Sequence, residues 1–152
     1  MKGIVPYIRR HSRQIAIGVV VIGIAIQLLR FIIPPFKIQN PDARQDIQWD
    51  TAETQRIWTE SCADCHSNET VWPFYSYIAP MGWLVAADVH EGRDHLNVDE
   101  DRRVELNEMI EVIQEGEMPP WQYLILHPDA DLTDSEKTAL VSGLRSTFAG
   151  SR

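Results

Sequence analysis

The residues Cys62-Ala63-Asp64-Cys65-His66 concentrate the reactive side chains of this sequence. Two thiols two residues apart, followed at once by an imidazole, form the C-x-x-C-H pattern by which c-type haem is attached. The spacing has a mechanical basis. One turn of backbone brings both sulfurs to one porphyrin edge, where each would form a thioether with a vinyl group. His66, next in line, would then be the proximal iron ligand. The chain has two cysteines, and both are here. Other uses of a C-x-x-C pair demand more. A closed zinc site needs four ligands, usually a second C-x-x-C or an H-x3-5-H pair, and the sequence has neither. A thioredoxin-like redox pair wants a βαβ pattern around it, whereas these flanks read as helix and loop. An ordinary disulfide between the two thiols is the remaining alternative in an oxidising compartment.

An iron held by His66 has one more axial position. Gly116-Glu117-Met118-Pro119-Pro120 is the best source of a ligand for it. Gly116 ends a helix, so Met118 falls in a loop, and Pro119 biases Met118 towards extended geometry. A loop stiffened by two prolines can hold a soft thioether against iron at low entropic cost. His/Met ligation suits electron carriers and raises the reduction potential. The competitors are Met81 near a helix start, Met109 on an apolar helix face, and His90, His95 and His127, which read as surface or loop histidines. A histidine ligand and an open distal site both stay open as alternatives. His66 should also donate its second ring N–H to a fixed acceptor, expected among the carbonyls of the Trp72–Pro80 segment. Arg93, Trp83 and Trp121 are candidates to meet the propionates, beside ordinary surface and core roles.

The elements that must position these residues are helical. Asp50-Thr51-Ala52-Glu53 resembles a helix start with an acidic residue three positions on. That helix would run from about Thr51 to Ser61, burying Ile57 and Trp58, and would deliver Cys62. Trp72–Pro80 is aromatic and proline-bearing and reads as an irregular wrap with rings that could wall a haem. A second helix is expected from near Pro80 to Gly92. A third is expected from about Asp99 to Glu115, with Leu106, Met109, Ile110 and Ile113 on one face and Gly116 as its cap. Thr133-Asp134-Ser135-Glu136 is a capping box opening a last helix to about Phe148, with Leu140, Val141, Leu144 and Phe148 inward. No β alternation of useful length is present, so the fold class expected is all-α: one N-terminal transmembrane helix followed by a cytochrome c-like helical haem domain.

Residues 15–33 are apolar on all faces apart from Gln27 and Arg30. At ~1.5 Å per residue they span about the ~30 Å hydrocarbon core of a bilayer. Arg30 could snorkel to the interface, and Pro34-Pro35 should stop the helix. Lys2, Arg9, Arg10 and Arg13 precede the run with no acidic residue, which keeps the N-terminus in the cytoplasm. A cleaved signal peptide would have a shorter apolar part and an A-x-A-like site. Phe31-Ile32-Ile33-Pro34-Pro35 offers none, so a retained single-pass anchor is expected. The organisation is thus a cytoplasmic stub (1–14), an anchor (15–33), a linker (34–50) and a haem domain (51–150). Everything after the anchor lies outside the cytoplasmic membrane, on the periplasmic side, where c-type haem is attached in bacteria.

Five of the fourteen Lys and Arg residues lie in positions 1–33, with none of the twenty-two acids. The remainder holds nine bases against twenty-two acids, a formal charge of −13. Such a domain is unsuited to nucleic acid. It suits a redox protein with a basic docking face, steered by long-range attraction, although solubility alone would also account for the charge.

These residues carry a family likeness. Helix, C-x-x-C-H, long middle, Met-Pro loop and terminal helix resemble the general cytochrome c plan. The pieces Cys62–Ser67, Trp72–Pro80, Asp88–Arg93, Gly116–Pro120 and His127-Pro128 more closely resemble the small haem-binding domain family of membrane-anchored bacterial c-type cytochromes. The likeness implies one covalent haem c on Cys62, Cys65 and His66, with Met118 as distal ligand. The function expected is a membrane-tethered mono-haem cytochrome carrying single electrons between respiratory or photosynthetic partners, not an enzyme. Two rivals stand beside it: an accessory subunit of a larger membrane redox complex, and a haem-based gas or redox sensor, or small peroxidase-like enzyme, with an open distal site.

Overall fold

The computed structural model describes residues 4–42, 45–100 and 105–149. Met1–Gly3 of the expected stub, residues 101–104 of the expected third helix and Gly150 of the expected haem domain lie outside the described residues. So do the side chains of residues 4–9 and of Arg30. Among the described residues the fold is all-helical, as the sequence predicts: seven α-helices, four short 3-10 turns and no strand.

The first helix, α1 (Ile4–Leu28), passes into a 3-10 turn at Leu29–Phe31. It therefore starts before and ends before the apolar run read from sequence. Pro6 sits in its first turn, where a proline costs little. At the other end Ile33 precedes a proline and is extended, and Pro34–Phe36 forms a separate 3-10 turn. Over Arg10–Leu28 the helix is long and apolar enough to cross a membrane, with a mean hydropathy of 1.5 and no part of it buried within the chain.

The chain divides into two compact units. One comprises Met1–Ile38 with Pro73–Ala87, and the other Gln39–Trp72 with Asp88–Arg152. In the first, a 3-10 turn (Phe74–Tyr77) leads into the start of α4 (Met81–His95), whose later turns belong to the second unit.

The second unit holds α2 (Ala52–Ser61), α3 (Ala63–His66), α5 (Leu106–Glu115), α6 (Trp121–Leu124), a 3-10 turn at Pro128–Ala130 and α7 (Asp134–Thr147). Each long helix has a physical start or stop. Thr51 caps α2, its hydroxyl accepting the Thr54 N–H at 3.1 Å. Gly116 ends α5 with φ 75°, a left-handed conformation that glycine adopts without Cβ strain. A complete capping box opens α7: the Thr133 hydroxyl accepts from the Glu136 backbone, and the Glu136 carboxylate accepts from the Thr133 backbone. The helices close over one core of Ile57, Trp58, Ala63, Val98, Met109, Ile113, Leu132, Leu140 and Leu144, with Cys62 packed against it. The α2–α7 crossing is close at Gly143, where any Cβ would collide with the Thr54 side chain.

Two boundaries differ from expectation. Helix α4 continues past Gly92 to His95, and α5 begins at Leu106 rather than near Asp99. Residues 97–99 instead form a buried polar turn. Asn97 Oδ1 accepts the Asp99 N–H, and Asp99 Oδ2 accepts the Asn68 N–H at 2.7 Å. Side chains committed in this way compete with helix formation.

Candidate functional site

The C-x-x-C-H residues lie on the single turn of α3, which follows α2 directly. The Cys65 and His66 N–H groups both donate to the Cys62 carbonyl, at 3.2 and 3.0 Å. That winding gathers Cys62, Cys65 and His66 in one turn. Both thiols are free rather than joined in a disulfide. Burial pushes both up to about 12, helped at Cys65 by the Asp64 carboxylate. Among the described residues no three His, Cys, Asp or Glu side chains gather as a metal-binding cluster, so the zinc alternative finds no further ligands.

His66 is fixed by its surroundings. Its Nδ1 lies 3.1 Å from the Gly92 carbonyl and 3.1 Å from the Leu96 carbonyl. Carbonyls can only accept, so Nδ1 carries the proton and Nε2 presents a lone pair. Burial lowers the His66 pKa, against the opposing pull of the two carbonyls, and so favours the neutral ring that ligates metal. The acceptor is thus the C-terminal end of α4, not the Trp72–Pro80 segment. Both carbonyls lie at the negative end of the helix dipole, and the Gly92 carbonyl accepts from His66 while also accepting the Leu96 N–H. The approach is close because residue 92 is glycine: a Cβ there would stand 2.7 Å from the Cys65 carbonyl oxygen and 3.0 Å from its Cβ.

The loop after His66 is clamped by a buried polar network that the sequence did not announce. Arg93 is 6% exposed and reaches four acceptors. Its Nε donates to the Ser67 carbonyl, Nη1 to the Gln39 carbonyl, and Nη2 to Asn40 Oδ1 and Thr70 Oγ1, at 2.7–3.0 Å. Asn40 returns a bond to the Thr70 carbonyl and accepts from Trp72 Nε1. Arg93 is therefore a fastening residue. Four of its five N–H donors are spent on the chain itself. The polar segment before α2 acts as a strap over the post-motif loop.

Asp64, the second variable residue of the motif, is committed as well. One carboxylate oxygen accepts the Val71 N–H at 2.8 Å and the other the Tyr123 hydroxyl at 3.0 Å. Tyr123 lies on α6, just after the Met118 loop, and its ring stacks on His127 at 4.2 Å. Met118 itself stands on a different element from His66. Its N–H and that of Glu117 donate to the Val112 carbonyl at the end of α5, the Met118–Pro119 peptide is cis, and the side chain is 37% exposed. The Asp64–Tyr123 bond links α6, just after its loop, to the C-x-x-C-H turn. Met109 is core, as its apolar face suggested, and Met81 belongs to the other unit.

These residues fit a haem. Two free thiols lie on one turn, the imidazole is held in the ligating tautomer, and Gly92 lets α4 pack closely on Cys65. Val71, Trp121, Ile125 and Leu126 are each more than half exposed, on the two segments that Asp64 ties together, and they offer apolar surface that a porphyrin would cover. A model of the haem-binding domain family matches residues 21–146.

The chain belongs to the haem-binding domain family.

The match covers the C-x-x-C-H turn, the α4 carbonyls, the Met118 loop and most of α7, so the geometry above is that of a haem-binding domain. No curated protein and no solved structure matches this haem-binding domain.

Proposed function

We propose that this haem-binding domain protein is a membrane-tethered, mono-haem c-type cytochrome that carries single electrons and is not an enzyme. The observation that carries the reading is the His66 imidazole, held by two backbone carbonyls in the tautomer that leaves Nε2 for iron, one residue after the second of two free thiols. Cys62 and Cys65 would hold the haem by thioethers, His66 would ligate the iron, and Met118 would supply the opposing thioether. The haem, when bound, provides reversible one-electron exchange at its iron. The chain's part is to keep both axial ligands fixed, so that little rearranges between redox states. The carbonyl bonds at His66 and the Asp64–Tyr123 bond serve that end. The span Arg10–Leu28 would anchor the protein, with its basic N-terminal side in the cytoplasm and the haem domain outside. Tethering confines the haem near membrane redox partners and raises its local concentration. Thirteen net negative charges after residue 33 would steer it to a basic face.

Visible and near-infrared spectra of the purified protein in both redox states test the cofactor and its ligands together. Two-thioether haem c with a methionine–iron band is expected. Met118→Ala should abolish that band, lower the potential and admit carbon monoxide to the reduced iron. An unchanged Met118→Ala spectrum would sink the ligand assignment. The exposure of Met118 favours one further reading, a sensor with an easily vacated distal position. Fast carbon monoxide binding by the reduced wild-type protein is the result that would support it.

A further inference from the structure

Residues 73–87 run from Pro73 to Ala87 without a single charged side chain, in a stretch of sequence otherwise rich in acids. They also turn apolar groups outward. Phe74 is 79% exposed, Leu84 60%, Ile78 53% and Met81 43%. Soluble surfaces seldom gather such residues with no charge among them.

The same segment is bonded to the membrane-suited helix. Gln27 lies inside the apolar run of α1, where an unpaired amide would be costly in hydrocarbon. Its Oε1 accepts the Ala79 N–H at 3.1 Å, and its Nε2 lies 3.5 Å from the Ala79 carbonyl. Just past the helix, Phe36 stacks on Trp83 with ring centroids 5.1 Å apart and planes 12° apart. The segment is thus held at the level of Gln27, short of the end of the apolar run. Tyr75, Tyr77 and Trp83 give it the aromatic character of a membrane–water boundary.

We infer that residues 73–87 are a second membrane contact, a lipid-facing patch seated in the bilayer interface beside the end of α1. Phe74, Ile78, Met81 and Leu84 face the acyl chains there, and the bond pair to Ala79 satisfies the Gln27 amide. The inference rests on α1 being a membrane anchor, and its test separates the two.

The full-length protein is placed in vesicles of phosphatidylcholine and phosphatidylglycerol. It carries one nitroxide at Ile78→Cys or Leu84→Cys, with Val20→Cys as the reference for the anchor and Glu108→Cys as the reference for water. The unsubstituted chain, treated alike, reports any label taken up by Cys62 and Cys65. Power saturation then compares collision with oxygen, which concentrates in lipid, against collision with a water-soluble nickel chelate. At positions 78 and 84 oxygen should dominate as at 20, and at 108 the ratio should invert. Nickel-dominated collisions at 78 and 84, with 20 still in lipid, overturn the second contact and leave the anchor standing. Exclusion of both agents at 78 and 84 overturns it in favour of a protein cover. Nickel-dominated collisions at 20 remove the anchor and the inference together.

Discussion

At the scale of the residue, His66 and Asp64 do more than their places in a five-residue motif suggest. Spacing alone singles out Cys62, Cys65 and His66 as candidates for holding haem. It could not reveal that the His66 proton is held by the Gly92 and Leu96 carbonyls, because backbone carbonyls leave no signature in sequence and these lie 26 and 30 positions away. Asp64 was equally silent, since it fills a position the motif leaves open. Two predictions belong here. Gly92→Ala sets a Cβ against the Cys65 carbonyl and should cost about 1–3 kcal/mol as an overpacked contact, read as a lowered urea midpoint. Tyr123→Phe removes the hydroxyl that Asp64 accepts and should cost about 1 kcal/mol. If the bond holds the Met118 loop in place, the same variant also weakens the methionine–iron band. Loss of stability with an unaltered band would confine Tyr123 to a structural role.

At the scale of the element, helices were legible where a local signal decided them and misread where a distant contact did. The capping box at Thr133, the left-handed Gly116 and the apolar face of α5 are local, and each stands where the sequence predicts it. Gly92 read as a helix stop. It is instead a point of close approach to Cys65, and its carbonyl still accepts the Leu96 N–H, so α4 continues. Asp99 read as a helix start, but its side chain is taken by Asn68. The capping box carries a pH prediction. The bonds from Thr133, and then Arg56, hold the Glu136 carboxyl below its ordinary range. A carboxylate with a lowered folded pKa contributes stability above its unfolded value, and that contribution is lost as pH falls through the folded one. Glu136→Gln should therefore flatten the acid limb of the stability profile while changing its slope little near neutrality. Urea midpoints collected across the acid range would check this.

At the scale of the whole molecule, composition conveyed the all-helical class, a first helix long and apolar enough to cross a membrane, and the charge asymmetry, while the strap was visible only as a polar stretch without periodicity. Its role depends on Arg93, whose planar fork serves acceptors in two separate segments, residues 39–40 and 67–70. Arg93→Ala should cost on the order of 3 kcal/mol, the scale of one or two charge-assisted hydrogen bonds. It should also speed amide exchange at residues 39–42, with Arg93→Lys recovering part of the loss, since a point charge cannot replace the fork. The same fastening sets an order of events during synthesis. On the proposed topology the chain is threaded outward from its anchor, so Asn40 emerges 53 residues before Arg93. Cys62, Cys65 and His66 emerge in between, when neither the strap nor α4 can yet close on them. If haem is attached as proposed, the order leaves a stage of biogenesis in which both thiols have emerged before the last clasp arrives.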